Sequence, residues 1–333
     1  MLGPEIIFLS DLIAIFAVYL IINLSLNLEF GFAGVPNFGK VLSVAAGAFI
    51  VGIIPFYMYG MILDIQGDPV HDNIDVISQI NSHLTIHPEL GFLVFGVTVV
   101  IALAAGALLG LVSSYPAIRL RGDYLAITLL AFGEIIRIIG INHTDLVGGT
   151  LGVSIPDVLS FVPNEFRFLI ISIILLGFAG VVYLLVSRFT NAPVGRLMRA
   201  MRDDEVAIQA LGRNTRQIKI KILMVGGMIG ALGGLLYASY VESVVAFGYT
   251  RLNWTFLPFV MVIVGGMANN KGVLVGTLLF VVVRKLIVYY NDSLSWLVPF
   301  NIIWLDYLAL GGIMIIVLLY RPNGILPEKP KKI

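Results

Sequence analysis

The chain is a succession of apolar runs, each about as long as a helix must be to cross a bilayer. They fall at about 6–28, 41–63, 90–114, 122–141, 168–187, 221–241, 254–268, 273–290 and 302–320. A hydrocarbon core about 30 Å thick asks for about 20 residues of helix. Lipid offers nothing to hydrogen-bond a bare backbone, so runs of this kind must satisfy their own N–H and C=O groups as helices. The pattern predicts an all-α, polytopic transmembrane helical bundle with about nine crossings in a single domain over 1–333. The seventh run is shorter than the rest and reads as a tilted half-span or a re-entrant segment. Charged residues make up only 12% of the chain, against about a quarter in a soluble domain, so lipid is the expected solvent for much of the surface. The absence of cysteine excludes disulfides and thiolate metal sites. The N-terminus lacks a basic leader segment and reads as a first span.

Sidedness follows from Lys and Arg. None occurs between Lys40 and Arg119, and the stretch 64–89 inside that gap carries Asp64, Asp68, Asp72, Asp75 and Glu89, so it reads as an external loop. Lys40, Arg119, Arg121, Lys271, Arg321, Lys329, Lys331 and Lys332 fall on the opposite, cytoplasmic side. Nine crossings with the N-terminus outside and the C-terminus cytoplasmic fit these placements, while Arg167, Arg251, Arg284 and Lys285 fit less easily. Clusters such as Gly226, Gly227, Gly230, Gly233 and Gly234 predict close backbone approach between helices.

One polar island interrupts the apolar chain. Residues 187–221 hold eight Lys and Arg against three acids. Pro193 suits a first helical turn, and Leu197, Met198 and Met201 follow as apolar contacts. Asp203, Asp204 and Glu205 would open a second short helix, and Gly212 fits its C-terminal cap. Two short linked helices projecting from the cytoplasmic side point to a docking partner.

Glu134 and Arg137, at i and i+3 in the fourth run, share a helix face. A charge at the centre of a lone span costs about 2.5–3.5 kcal/mol, so the two either line a polar path or form a structural ion pair. Asp11, Glu242, Arg284, Lys285 and Asp306 lie near span ends. Breaks occur around Pro36 and Asn37, at Gly148 and Gly149, and at Gly265, Gly266 and Asn269, and they mark candidate helix breaks or pathway segments. Gly34-Val-Pro-Asn37-Phe-Gly-Lys40 and Gly266-Met-Ala-Asn269-Asn-Lys271 form a weak internal echo. No phosphate loop, catalytic constellation or metal-ligand set is found; His71, His83, His87 and His143 read as surface residues.

Several motifs resemble one family. RLRGDYLAITLLAFGEIIR at 119–137, LVGGTLGV at 146–153, VGRLMRAMRDDEVAIQALG at 194–212, LPFVMVIVGGMANNKGVLVGTLL at 257–279 and YRPNGILP at 320–327 are similar to the M-type (LivM-type) permease subunit of branched-chain amino acid ABC transporters. The resemblance implies an ABC-importer permease in a prokaryotic cell membrane, with no catalysis and no cofactor of its own. ATP and magnesium would sit on two cytoplasmic ATPase subunits. A second homologous permease and an external solute-binding protein would complete the system. By position, the coupling insert spans 188–220, and Arg199, Arg202, Asp203, Asp204, Glu205, Leu211 and Gly212 lie in or beside the ATPase-docking element. The Glu205-Val206-Ala207 run with Gly212 departs by one residue from the usual Glu-Ala-Ala…Gly spacing. Pro36-Asn37-Phe38-Gly39-Lys40 also departs from the family run. Related permeases carry urea, amides or other amino acids, and an ion-coupled secondary transporter is the alternative from outside the family.

Overall fold

The apolar runs fold into helices in the expected order. The computed structural model describes residues 3–65, 67–68, 70–120, 122–290 and 302–328. Helix α1 (Pro4–Leu26) opens on a proline in its first turn and continues into a π-helical turn, Asn27–Phe32. The other long helices are α2 (Lys40–Leu63), α4 (Pro88–Arg119), α5 (Asp123–Asn142), α7 (Asn164–Asn191), α10 (Thr215–Val241), α12 (Asn270–Tyr289) and α13 (Ile302–Tyr320). Among the described residues, seven helices are long and apolar enough to cross a membrane, and the seventh run is a short helix at Leu252–Gly265. That helix is a π turn (Leu252–Phe256) running into α11 (Leu257–Gly265).

The bundle is tightest where α10 packs on α2 and α4. A Cβ on Gly47 would lie 1.8 Å from the Ala231 carbonyl oxygen, and one on Gly234 would lie 1.8 Å from that of Val44. Gly106 and Gly110 make the same approach to Gly227 and Leu223. Small residues hold these helices together by backbone contact, the packing expected where lipid removes the hydrophobic drive between helices. α1 lies between α7, α10 and α12, and the chain from Ala17 in α1 to Glu29 in the π turn is buried. Val100, Leu108, Leu184 and Leu185 on α4 and α7 are exposed. An outward apolar surface of this kind belongs to a membrane protein.

The stretch 64–89, read from its acids as a loop, contains helix α3 (Asn73–Ile86). Val76, Ile77, Ile80 and Leu84 pack against Tyr59 and Val94. Their spacing is that of one helix face, but five acids in the surrounding stretch obscured it. On the same side, a four-residue helix α6 (Thr144–Val147) leads to a short antiparallel pairing of Val153–Ser154 with Ser243–Val244. The cations that fitted poorly as loop residues are all engaged. Arg167 pairs with Asp157 at 2.9 Å. Lys285 pairs with Asp11 at 2.5 Å, and the Tyr240 hydroxyl donates to the other Asp11 oxygen at 2.8 Å. Arg284 donates to the Tyr19 hydroxyl. Arg121, Lys329, Lys331, Lys332 and the side chain of Asp306 lie outside the described residues.

Candidate functional site

Two helix breaks, the polar insert and the C-terminal segment meet at one end of the bundle. In the first break the chain leaves the π turn at Phe32 and re-enters a helix at Lys40. Lys40 is fully buried, so it cannot serve as the loop cation assumed in assigning sidedness. Its ammonium group donates to Glu29 Oε1 at 3.0 Å, to the Gly226 carbonyl at 3.0 Å and to Ser25 Oγ. That uses all three of its N–H bonds. Glu29 is equally buried, and its other oxygen accepts from Asn37 at 3.1 Å. Asn37 Oδ1 in turn accepts the Gly39 N–H at 3.1 Å. Pro36, half-buried beside it, completes the turn. The glycines of α10 make room for this pair: a Cβ on Gly226 would lie 1.9 Å from Glu29 Oε1.

The second break follows Gly265. Gly266 has φ 118° and Ala268 φ 56°, and Asn269 caps α12 by accepting the Lys271 N–H at 3.1 Å. Gly265 and Gly266 are confined by backbone, with the Gly272 and Leu326 oxygens 2.3 and 2.2 Å from where their Cβ atoms would be. Asn27 joins the two breaks. Its Oδ1 accepts the Ala268 N–H at 2.9 Å and its Nδ2 donates to Asn270 Oδ1 at 3.0 Å. The π turn that precedes the first segment of the weak sequence echo therefore lies against the second segment.

The polar island folds as two helices, α8 (Pro193–Asp203) and α9 (Glu205–Ala210). Pro193 opens the first, and Met198 and Met201 bury its inner face. Asp204 accepts the N–H groups of Val206 and Ala207, a side-chain N-cap. Gly212, at φ 76°, donates to the Gln209 carbonyl and Arg213 donates to that of Ile208, a Schellman C-cap. Glu205 pairs with Lys219 at 2.8 Å, which ties α9 to α10.

The docking candidates divide into two sets. Arg199 and Arg202, one turn apart on α8, face inward and share Glu328, at 2.6 Å to Oε1 and 3.0 Å to Oε2. Arg202 also donates to the Gly31 carbonyl at 2.8 Å, and the Arg199 guanidinium lies 4.8 Å from the centre of the Phe32 ring. Two direct contacts therefore join the insert to the π turn of α1. Glu328 follows a strap in which Ile325 and Leu326 donate to the carbonyls of Val264 and Gly265 at 2.9 and 3.0 Å. Asp203, Leu211 and Gly212 are exposed, and Leu211 continues an apolar strip with Val206. Sequence reasoning missed Glu29 and Glu328; a lone acid inside an apolar run was the available signal for Glu29.

The remaining candidates lie elsewhere. Glu134 on α5 accepts from Arg137 Nε at 2.9 Å and pairs with Arg251 at 3.0 Å, so the expected pair is a triad. Its three side chains are 22%, 23% and 45% exposed. Gly148 and Gly149, at φ 67° and 60°, form the tight turn before Val153 at the opposite end of the bundle.

Known proteins resemble this chain over most of its length. The family described as branched-chain amino acid transport system, permease component, matches residues 8–318. The probable branched-chain amino acid transport permease protein LivM of Methanocaldococcus jannaschii is 39% identical over 324 residues, covering 97% of this chain and 94% of that protein. The high-affinity branched-chain amino acid transport system permease protein LivM of Escherichia coli is 28% identical, covering 95% of this chain and 69% of its own. The ribose import permease protein RbsC of Haemophilus influenzae is 30% identical over 109 residues, about a third of either chain. No solved structure matches.

Proposed function

The chain belongs to the family of permease components of branched-chain amino acid transport systems, and on that premise we propose that it is the membrane-spanning subunit of an ABC importer for Leu, Ile and Val. The observation that carries this reading is the direct link from α8 to the first helix break, through Arg202 and the Gly31 carbonyl. ATP, with magnesium, binds and is hydrolysed on two cytoplasmic ATPase subunits that dock on the insert 188–220. The exposed strip of Val206 and Leu211 is the docking surface, with Asp203 at its edge. Arg199 and Arg202 carry the pull inward rather than touching the ATPase. Movement of α8 reaches the π turn of α1 through Gly31 and Phe32. It reaches the second break through Glu328 and the strap on Gly265. Asn27 couples the two breaks, so they move together.

A second homologous permease covers the face of α5. Charges exposed there to lipid would cost about 2.5–3.5 kcal/mol each, so protein or water must meet them. Glu134 takes the ammonium group and Arg137 or Arg251 the carboxylate of an amino acid released by an external binding protein. The N-terminus is outside and the C-terminus cytoplasmic, in a prokaryotic cell membrane.

The test is recovery of the ATPase with the chain, together with leucine uptake in vesicles. Leu211→Asp with Val206→Asp is expected to abolish both and leave the chain membrane-inserted. These side chains are exposed, whereas substitution of Asp204 or Glu205 would also unravel α9 or its tie to α10. Normal ATPase recovery by the double variant would overturn the docking surface. Uptake that survives ATP depletion and collapses with an ion gradient would overturn the ABC reading.

A further inference from the structure

An open cleft of about 1130 Å³ lies between the insert, the second helix break and the end of α7. Its polar wall is basic. Arg196, Arg199, Arg202 and Lys271 line it against two acids, Asp203 and Glu328. Both acids are engaged: Glu328 by Arg199 and Arg202, Asp203 by Arg202 at 3.1 Å. Arg196 and Lys271 are exposed and have no side-chain hydrogen bond or ion pair among the described residues. The 20-residue α12 also begins at the cleft, with Asn270 and Lys271 on the wall. Its N-terminal dipole adds to the positive field. Tyr183 forms part of the apolar wall, one turn before Ser187 on α7. Around the same stretch of α7, Val181, Leu184 and Leu185 face outward. The cleft thus joins a cationic floor to an apolar, outward-facing helix, and it is far roomier than a bare phosphate requires.

We infer that this cleft binds the phosphate group of an anionic phospholipid headgroup, with its acyl chains against the exposed face of α7. Arg196 and Lys271 contact the phosphate, and the Arg199–Arg202–Glu328 cluster forms the floor. Basic pockets at the cytoplasmic ends of membrane helices recognise lipid in this way. The inference rests on the cytoplasmic placement of the insert proposed above. Headgroup occupancy would brace α8 against Asn270 and so favour one setting of the two breaks.

The detergent-purified full-length chain is incubated with phosphatidylglycerol, or with phosphatidylcholine of the same acyl chains, and bound lipid is counted by native mass spectrometry. Preferential retention of phosphatidylglycerol is expected. Arg196→Gln with Lys271→Gln should weaken it by about tenfold or more, since each cation near such a surface contributes about a factor of five. Arg213→Gln with Arg216→Gln removes the same charge outside the cleft and should leave retention unchanged. Inorganic phosphate that binds the wild type and not the cleft double variant, with phosphatidylglycerol retained no better than phosphatidylcholine, would make free phosphate the ligand and overturn the lipid inference. Equal retention of the two lipids, or equal loss in both double variants, overturns the inference. Should the cleft double variant not run as a single species, Arg196→Gln alone reads the same effect at about fivefold. None of these readouts involves the ATPase or transport, so failure here is separable from failure of the importer reading.

Discussion

Glu29 with Lys40 and Glu134 with Arg137 and Arg251 are both charge clusters within the bundle, yet they are built in opposite ways. The first is closed. Both partners are fully buried, and every N–H of the ammonium group has an acceptor. It spans a helix break and a third helix, so it fixes three segments relative to one another. The second is open. One acid faces two guanidinium groups, one of them 45% exposed, on a helix whose outer side chains include Ile127 and Ile135. A closed pair has no capacity left for a ligand. An open triad with one cation in excess has a place for a carboxylate. On the function proposed above, the contrast is that between a structural lock and a substrate contact.

The closed pair should break most severely. Lys40→Met leaves Glu29 charged, buried and unpaired, for which a loss of about 3–5 kcal/mol is expected. Thermal unfolding in detergent, read by fluorescence size exclusion, measures it. Adding Glu29→Gln to Lys40→Met should recover most of the loss, because the pair's desolvation cost goes with its charges. A double variant no better than Lys40→Met would show that packing around the lysine stem, not charge, holds the break. Gly226→Val strikes the same lock from α10 with both charges kept. Its side chain must displace Glu29 Oε1, 1.9 Å from the Cβ position. Overpacking of this kind costs about 1–3 kcal/mol. An unchanged midpoint would mean that Glu29 has another place to go.

The two clusters differed in how far the sequence disclosed them. Glu134 and Arg137 declare themselves because i, i+3 spacing puts them on one face whatever the tertiary structure. Arg251 joins them only through packing. Glu29 and Lys40 are separated by a chain reversal, and their third partner is a carbonyl of α10 some two hundred residues away, so no local pattern relates them. Lys40, at the end of an apolar run, looked like any span-flanking cation. The helices were legible because lipid leaves the backbone few choices. The insert was legible because Pro193, Asp204 and Gly212 act on the backbone within a few residues of themselves. Glu328 was not, since its role depends on a strap that returns to Gly265. The exposed strip of Val206 and Leu211 needed the structure too, because Ile208, next in the same apolar run, is buried.

The open triad should yield the smallest change in stability and thereby test the comparison most directly. Neutralising Glu134 and Arg137 together, as Glu134→Gln with Arg137→Gln, strands Arg251, which would carry its own effect. The informative variant adds Arg251→Gln. Partly exposed ion pairs contribute about 0–1 kcal/mol, so the triple variant should unfold within about 1 kcal/mol of the parent and assemble normally. Leucine uptake should nevertheless fall by about tenfold or more, since hydrogen bonds to charged groups contribute about 1.5–3 kcal/mol. Arg251→Gln alone leaves the Glu134–Arg137 pair intact and removes the surplus cation, so on the open reading it lowers uptake with no change in the unfolding midpoint. Unchanged uptake in both variants would make the triad a second lock, looser than the first, and would move the substrate contact elsewhere in the bundle. A large loss of stability in the triple variant with no loss of uptake per folded molecule would invert the comparison outright, because the more exposed cluster would then hold the fold.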